Sequence, residues 1–430
     1  MPSASETILT TGPYRLLGHP TDLAGHVASL GPVPLPSKGT RGWRDAFVSV
    51  LETSGLAGRG GAGFPAAIKL AVAHAGGAGG TILVNAMEGE PASDKDKLLL
   101  IRSPHLVLDG AQLLAAASGA QLVTVCVPVG RHQVAAAVTR ALAERANAAG
   151  CALVPEAMVR PPDRFIAGEE SALARWVESG QSLPSFRPDK GTAVRIGRRS
   201  ALVHNAETLA HVAMIARTGP DAFRAHGLIE DPGTSLVTIS GAVEHPGVVE
   251  IDRGTPLIDV ANRAVPTAPP QALLVGGYGG AWVAPACFTT PYASLSLRAV
   301  GATAGVGIIV VLGPDACGLM ESARIAHYLA GQSAGQCGPC VNGLPALADM
   351  IGRLAFERPD AQTYGWAEDL LNLVSRRGAC HLPDGTASFV ASSLRTFADE
   401  LRQHSVAGPC ARVRRRPVLP APGHSWDALR

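Results

Sequence analysis

The stretch from Gly58 to Lys69 contains four glycines within six residues, followed by a proline and an alanine-rich segment. Glycine loses more conformational freedom on ordering than any other residue, so this run predicts a loop whose backbone comes close to something. Pro65 suits the first position of a helix, and residues 66–75 predict one. Free amides at a helix start favour an anion, and Lys69 adds a positive charge one turn further on. The stretch therefore predicts a phosphate or nucleotide site.

The same glycines match the G-x-G-x-x-G spacing of dinucleotide-binding turns, which is a weak signal by itself. A turn of that kind follows a strand. Here residues 43–54 have the apolar spacing of a helix, and the clear strand, residues 81–84, comes after the loop and its helix. The order loop, helix, strand differs from the ordinary Rossmann turn. A plain glycine-rich surface loop is the alternative that this stretch leaves open.

Strands and helices alternate through the first half of the chain. Strands are predicted at 81–84, 121–128 and 152–158, and helices at 106–118, 132–149 and up to about 178. This alternation predicts a largely parallel sheet with helices on both faces. We therefore predict an α/β fold in five segments: an irregular lead-in (1–42), an α/β domain (43–231), a small α+β module (232–314), a helical bundle (315–405) and a basic, proline-rich tail (406–430).

The tail, with its arginines at 412–416, is predicted to be solvated; a docking strip for an acidic partner is the alternative.

Polar residues follow the predicted strands. The turn at 85–91 carries Glu88 and Glu90 at the end of the strand 81–84, where α/β proteins place groups that bind ligands. Glu169 and Glu170 follow a glycine at a predicted helix start, and ordinary helix-start acids are the alternative for them. Residues 203–209 predict a strand-to-helix junction that offers amide and hydroxyl groups to a ligand.

Three of the eight cysteines are spaced like metal ligands. Cys337 and Cys340 form a C-x-x-C before a predicted helix, and Cys380 lies in a later loop. An iron–sulfur cluster with an incomplete ligand shell, a tetrahedral zinc site completed by His381, and no metal at all remain open at this point. The remaining five are predicted to be isolated thiols, the first four of them in the core: Cys126, Cys151, Cys287, Cys317 and Cys410.

Bulk properties exclude several classes of protein. A net charge of +2 argues against a nucleic-acid-binding protein. No charged residue occurs between Arg263 and Arg298, but prolines and glycines interrupt this stretch, so it does not predict a transmembrane helix. The first 13 residues lack the pattern of a signal peptide. We therefore expect a cytoplasmic protein whose clustered cysteines serve metal or redox chemistry.

Five motifs in order resemble the NADH- and FMN-binding F-type subunit of respiratory complex I and the related diaphorase subunits of hydrogenases and formate dehydrogenases. They are residues 55–65 (GLAGRGGAGFP), 85–91 (NAMEGEP), 168–172 (GEESA), 205–208 (NAET) and 333–340 (SAGQCGPC). The resemblance runs from about residue 43 to about residue 404. It implies a Rossmann-like FMN-binding domain, a β-grasp (SLBB) module in place of the small α+β module, and a helical bundle that carries a [4Fe-4S] cluster.

The resemblance also implies roles for individual residues. The glycine loop and Lys69 would hold FMN and the nucleotide. Asn85, Glu88, Asn205 and Thr208 would contact FMN, Glu90 and Glu170 would face the nicotinamide nucleotide, and Phe64 would stack on it. The full predicted cofactor-binding set is Gly58, Arg59, Gly60, Gly61, Ala62, Gly63, Phe64, Lys69, Asn85, Glu88, Glu90, Gly168, Glu169, Glu170, His204, Asn205 and Thr208, and the metal ligands are Cys337, Cys340 and Cys380.

The sequence departs from the family pattern at four places. Ala334 stands where the family has the first cysteine of C-x-x-C-x-x-C, so the cluster lacks one ligand and a three-iron form is the alternative to [4Fe-4S]. Met87 replaces an aspartate that contacts the flavin. Val72 and Lys190 stand where aromatic residues help to stack the adenine. With these four departures, the sequence supports FMN binding better than it supports NADH binding.

Two functions follow from these residues and motifs. The first is a flavoprotein oxidoreductase subunit that passes electrons between NAD(P)H and a [2Fe-2S] or ferredoxin-type partner, with a membrane complex as a further possible partner. The second is a degenerate binding subunit that retains the fold, and with it FMN, without nucleotide turnover. The intact glycine loop and its acids favour the enzyme.

Overall fold

The computed structural model describes residues 8, 15–37, 41–75, 79–186, 193–359 and 361–421. The predicted contact of Lys190 therefore lies outside the described residues. The chain divides into two compact units. The first comprises Met1–Gly89, Asp94–Val237 and Val248–Gly254, and the second comprises Glu90–Ser93, Thr238–Gly247 and Thr255–Arg430. The boundaries of the five predicted segments remain predictions.

The elements alternate in the first half of the chain, as the pattern predicted. In order they are α1 (Leu23–Leu30), α2 (Trp43–Ser54), α3 (Ala66–Ala75), β1 (Thr81–Asn85), α4 (Lys95–Arg102), α5 (Pro104–Ser118), β2 (Leu122–Cys126), α6 (His132–Ala146), β3 (Glu156–Val159), α7 (Glu170–Ser179), β4 (Val194–Ile196), β5 (Arg199–Asn205), α8 (Ala206–Thr218), α9 (Pro220–Arg224), β6 (Gly227–Leu228) and β7 (Asp231–Pro232).

The first sheet has the strand order β3-β2-β1-β5-β4. The pairs β1–β2, β1–β5 and β2–β3 are parallel, and only the edge pair β4–β5 is antiparallel. The apolar run at 82–84 in the central strand β1 is fully buried, as expected for a parallel strand covered on both faces. The register places Asn85 opposite both Cys126 and Asn205, so the carboxyl ends of three strands meet at one edge.

One expectation about the first unit was wrong. The lead-in was predicted to be irregular, yet it contains α1. Asp22 caps this helix by accepting a hydrogen bond from the Gly25 amide at 2.8 Å. His26 of α1 is buried and lies 2.9 Å from Asp109 Oδ2 of α5. A glycine- and proline-rich composition concealed a helix that a cap and a buried hydrogen bond between His26 and Asp109 stabilise.

The remaining elements are β8 (Thr234–Gly241), β9 (Gly247–Asp252), α10 (Leu257–Asn262), β10 (Ala272–Val275), β11 (Ala281–Val283), α11 (Ser294–Ala299), β12 (Ile308–Leu312), α12 (Gly318–Gly331), α13 (Leu344–Phe356), α14 (Ala361–Val374), α15 (Leu382–Thr396) and α16 (Ala398–Ala407). The second sheet has the order β11-β10-β12-β8-β9. This region confirms the predicted mixed fold with a helical C-terminal part; its assignment as an SLBB module stays a prediction. No helix in the described part of the chain is long and apolar enough to cross a bilayer.

The C-terminal tail is not a solvated strip as far as it is described. Leu419 is 2% exposed. The amides of Val418 and Leu419 donate to the carboxylate of Glu321 in α12, at 2.6 and 3.3 Å, and Arg324 donates to the Leu419 carbonyl at 3.1 Å. The reason is that Glu321 is fully buried, and a buried carboxylate needs donors, which the tail supplies.

Candidate functional site

The glycine-rich loop ends in a row of free amides. The Gly58 amide donates to the Phe64 carbonyl at 2.9 Å, which closes the loop. Among the described residues, the amides of residues 60–63 have no hydrogen-bond acceptor, and these four residues are exposed. Gly61 and Gly63 have φ values of 111° and 62°, which favour glycine over other residues. Free amides that lead into the start of α3 form a site suited to an anion such as a phosphate.

Arg59 anchors this loop from the protein side. Its amide donates to Thr208 Oγ1 at 2.9 Å, and its guanidinium donates to the Pro232 carbonyl at 3.0 Å. The residue is 6% exposed. A Cβ on Gly60 would lie 3.4 Å from the Asn205 side chain, so the loop passes close to the end of β5. The structure thus holds the loop against the sheet edge while its outer amides face solvent.

Asn85 and Asn205 are neighbours at the carboxyl ends of β1 and β5. Asn85 Nδ2 donates to the Gly168 carbonyl at 2.9 Å. Asn205 caps α8, and its Oδ1 accepts from the Thr208 amide at 3.2 Å and from the Thr208 hydroxyl. Four predicted site residues from three separate stretches of the sequence therefore meet at one edge of the sheet. That edge, beside the glycine loop, is where parallel α/β sheets bind ligands.

Lys69 does not present a free charge at this edge. Its Nζ lies 2.8 Å from Glu170 Oε1 and donates to the Val203 carbonyl at 2.6 Å. Both side chains of the ion pair are 25% exposed. Glu169 caps α7 by accepting hydrogen bonds from the amides of Ser171 and Ala172, at 2.9 Å each. Glu169 is therefore an ordinary helix-start acid, the alternative that the sequence left open, whereas Glu170 forms an ion pair with Lys69.

The turn after β1 directs its side chains inward. Glu88 adopts a positive φ of 38°, and its two oxygens accept from the Asp96 and Lys97 amides at 2.9 and 2.8 Å, which caps α4. Met87 is 1% exposed and packs in an apolar cluster with Leu83, Ala167 and Leu173 among others. The replacement of the family's aspartate by Met87 thus converts a polar position into a core position.

A buried charge network lies beneath Asn205, and the sequence alone did not indicate it. Lys95 Nζ lies 2.9 Å from Asp96 Oδ1 and 2.8 Å from Glu207 Oε2, and all three side chains are almost fully buried. Asn205 Nδ2 lies 3.3 Å from Asp96 Oδ2. Burial outweighs the nearby Lys95 charge and raises the pKa of Asp96 to about 6. The Lys-Asp-Lys run at 95–97 resembles an ordinary solvated helix start, so no sequence pattern marked it.

His204 is buried on β5, and its Nε2 has no hydrogen-bond partner among the described residues. Burial, followed by the Lys69 charge, holds the pKa of His204 well below its usual range. The ring is therefore neutral at neutral pH. An orphaned buried ring nitrogen beside Asn205 is a polar group that a bound ligand or water would satisfy.

Glu90 belongs to the second unit. It is 7% exposed, and the Tyr278 amide donates to its two oxygens at 3.1 and 3.2 Å. Burial raises the pKa of Glu90 to about 8, against hydrogen bonds from the Tyr278 and Gly279 backbone. Phe64 and Val72 in the first unit are partly exposed. The roles of Glu90 and Phe64 toward a nucleotide remain predictions.

The predicted metal ligands lie in the helical part of the second unit. Cys340 is buried, and Cys337 and Cys380 are partly exposed. Burial raises the pKa of the Cys340 thiol, and a hydrogen bond with the Ser333 side chain opposes this rise. Ser333, next to Ala334, therefore lies within hydrogen-bond reach of Cys340. His381 is 69% exposed and lies 3.7 Å from Asp384, which does not favour it as the fourth ligand of a compact zinc site.

Cys317 and Cys410 are not isolated thiols, in contrast to the prediction. With Glu400 and His404 they form a group whose possible ligand atoms all lie within 4.8 Å of one another. The sequence separation of 93 residues between the two cysteines hid their proximity. Cys126, by contrast, is buried in the apolar cluster around Met87, as a core thiol would be.

Two family models match this chain. The Nuo51 FMN-binding domain covers residues 51–214, and the NADH-ubiquinone oxidoreductase-F iron-sulfur binding region covers residues 321–404. These matches bear out the predicted FMN-binding domain and the predicted iron–sulfur region. The first includes the glycine loop, Asn85 and Asn205, and the second includes the three cysteines.

Individual proteins agree with the family models. An F-type NADH-quinone oxidoreductase subunit of Rhizobium meliloti is 28% identical over 376 residues, which are 84% of this chain and 89% of that protein. The F-type NADH-quinone oxidoreductase subunit of Mycobacterium tuberculosis is 29% identical over 395 residues, 88% of this chain and 89% of that protein. The crystal structure of an NAD+-reducing [NiFe]-hydrogenase in its H2-reduced state matches with a TM-score of 0.79 and 26% identity, covering 94% of this chain and 68% of that chain.

Fold and site define a flavoprotein subunit built on a parallel sheet, with an iron–sulfur region at its C-terminal end. The chain belongs to the family of the F-type, NADH- and FMN-binding subunits of respiratory complex I and the related diaphorase subunits. The resemblance inferred from the five motifs is confirmed.

Proposed function

We propose that this protein is an NAD(P)H-linked FMN oxidoreductase subunit whose electrons leave through a C-terminal iron–sulfur cluster to a [2Fe-2S] or ferredoxin-type partner in the cytoplasm. One observation carries the proposal: the four free amides of residues 60–63 lie beside the meeting point of Asn85 and Asn205. The relatives named as NADH-quinone oxidoreductase subunits support the assignment of the substrate.

The residues of the first unit fit FMN. The amides of the loop and the start of α3 would bind the phosphate, as in other helix-start anion sites. The unpartnered Nε2 of His204 and the side chains of Asn85 and Thr208 offer hydrogen bonds to the rest of the cofactor. Bound FMN supplies the two-electron to one-electron redox chemistry. The pairing of Lys69 with Glu170 fixes both side chains at the mouth of the site before a nucleotide arrives.

The test is the absorption spectrum of anaerobically purified protein before and after addition of NADH or NADPH. We expect a flavin spectrum that bleaches. In Gly61→Val, both the strained φ and the side chain oppose the loop conformation, so flavin content should fall at least about tenfold. Gly150→Val is the matched control, because Gly150 also has a positive φ (79°) and open space around its Cβ. Full flavin content in Gly61→Val would exclude the loop as the site.

Nucleotide turnover is tested at Glu170, which the resemblance places toward the nicotinamide nucleotide. Glu170→Gln keeps the shape of the side chain and removes the charge that pairs with Lys69. We expect kcat/KM for NADH with an artificial acceptor to fall while flavin content stays constant. An unchanged kcat/KM would remove Glu170 from the nucleotide site.

The cluster is tested through Ala334. Three thiolates leave one iron of a cubane without a cysteine, and Ser333, which precedes Ala334, forms a hydrogen bond with Cys340. We expect Ala334→Cys to raise the retention of four irons in air, measured as iron and sulfide per chain with EPR after oxidation. Four stable irons in the unmodified chain would mean that a fourth ligand already serves the cluster.

The second candidate function is a binding subunit without turnover, and the burial of Met87 in the apolar cluster favours it. The same spectra separate the two functions. A flavin spectrum that neither NADH nor NADPH bleaches would support the binding subunit and overturn the enzyme.

A further inference from the structure

The strongest cluster of metal-binding side chains outside the predicted cofactor sites joins α12, α16 and the tail. Cys317 is the residue before α12 and caps it: its Sγ accepts from the Met320 amide at 3.4 Å. Glu400 and His404 stand four residues apart on α16 and therefore share one face of that helix. Cys410 follows shortly after the end of α16. Their possible ligand atoms lie within 4.8 Å of one another.

The surroundings of these side chains are those of a built site. His404 and Cys317 are fully buried, Glu400 is 6% exposed, and Cys410 is partly exposed. His404 Nδ1 donates a hydrogen bond to the Leu354 carbonyl at 3.2 Å. The Nε2 lone pair therefore faces Cys410 and accepts a hydrogen bond from the Cys410 amide at 3.2 Å. A histidine whose far nitrogen is held by a carbonyl is the usual arrangement of a metal ligand.

The carboxylate is oriented in the same way. The Gly318 amide donates to Glu400 Oε2 at 3.1 Å, and Arg412 donates to Oε1 at 3.2 Å. Cys410 Sγ lies 3.8 Å from Glu400 Oε1. Two thiolates and one carboxylate would carry three negative charges. A divalent cation cancels two of them, and the Arg412 guanidinium cancels the third, so the loaded site would be neutral although it is buried.

We propose that Cys317, Glu400, His404 and Cys410 bind a structural Zn²⁺ ion. Thiolate and imidazole donors together favour zinc over the harder divalent ions. Ligands of tetrahedral zinc lie about 3.4 to 3.8 Å apart, so the group has to close by only about 1 Å. Binding releases the two thiol protons to solvent and exchanges the hydrogen bond between the Cys410 amide and His404 for a zinc–nitrogen bond. The ion joins the tail to the helical bundle.

The test uses the full chain, expressed with added zinc, purified anaerobically with a thiol reductant, and analysed for zinc, iron and copper. Cys410→Ser removes one ligand at the least buried position. Cys151→Ser is the matched control, because Cys151 is also partly exposed and lies outside the group. Cys380→Ser shows whether zinc occupies the other cysteines instead. Flavin content and far-UV circular dichroism monitor folding.

We expect about one zinc per chain in the unmodified protein, in Cys151→Ser and in Cys380→Ser, and at least a tenfold loss in Cys410→Ser. Any of five results would overturn the proposal: an unmodified chain without zinc, retention of zinc in Cys410→Ser, loss of zinc in Cys380→Ser alone, copper in place of zinc, or a disulfide between Cys317 and Cys410 in the reduced preparation.

If Cys410→Ser does not fold, the proposal is tested by the absorption spectrum of the Cys380→Ser protein loaded with cobalt. Thiolate-to-cobalt absorption with intense tetrahedral d–d bands supports the site, and weak octahedral bands overturn it.

Discussion

Replacing Lys95 by methionine tests the buried charge network beneath Asn205. Methionine keeps most of the volume of the side chain but leaves Asp96 and Glu207 without the ammonium that lies 2.9 and 2.8 Å from their oxygens. Removal of one partner from a buried ion pair costs about 3–5 kcal/mol, because the remaining charge stays desolvated. At about 2–4 °C per kcal/mol, the melting temperature of the first unit should fall by about 6–20 °C.

The pH dependence separates lost charge from lost packing. The folded-state pKa of Asp96, at about 6, already lies above its ordinary value of 3.8, so this group favours folding below about pH 4 and that contribution disappears as the pH rises through 6. Loss of Lys95 raises this pKa further. The destabilisation of Lys95→Met should therefore be smaller at pH 5 than at pH 8.

The assay is urea unfolding followed by far-UV circular dichroism at both pH values. Arg102→Met, at an exposed position on the same helix, is the control. The double variant Lys95→Met/Glu207→Gln should recover part of the loss, because one buried carboxylate is gone while the Gln oxygen can still accept from the Leu236 amide. Equal destabilisation at pH 5 and pH 8, or a loss no larger than that of Arg102→Met, would refute this reasoning.

Two further predictions concern buried carboxyls. Against the effect of burial, hydrogen bonds and charges from His26, Arg145 and Arg217 lower the pKa of Asp109 to about 2. As the pH falls from about 5 to about 1, the unmodified protein should therefore lose about 2.5 kcal/mol of stability that Asp109→Asn does not lose. Acid unfolding measures this loss, Asp45→Asn at an exposed position is the control, and parallel curves would contradict the prediction. The folded pKa of Glu90, at about 8, exceeds its ordinary value of 4.5, so the stability of the protein should fall as the pH rises from 4.5 to 8, by at most about 5 kcal/mol relative to Glu90→Gln. Urea unfolding across this pH range is the measurement, and Glu368→Gln at an exposed position is the control. A stability difference that does not change with pH would show that Glu90 is ionised throughout.

The local sequence determined much of the fold. The glycine run, Pro65 and the alanines after it fixed a loop followed by a helix, and α3 begins and ends where the pattern predicted. The run of apolar residues in β1 identified a strand buried on both faces, since a parallel sheet imposes no alternation. The motifs also sufficed to identify the family, because five of them in the same order do not arise together by chance.

Only the tertiary structure decided which partners each polar group takes. Lys69 contacts Glu170, and Lys95 contacts Glu207, because chain segments far apart in sequence approach one another there. Glu88 caps α4 from only eight residues away, but the backbone turn that directs it there is also set by the fold. The same reason explains why Cys317 and Cys410 were predicted to be isolated. Sequence patterns report on neighbours within a few residues along the chain, whereas an ion pair or a metal site requires side chains that meet only after the helices and sheets have packed.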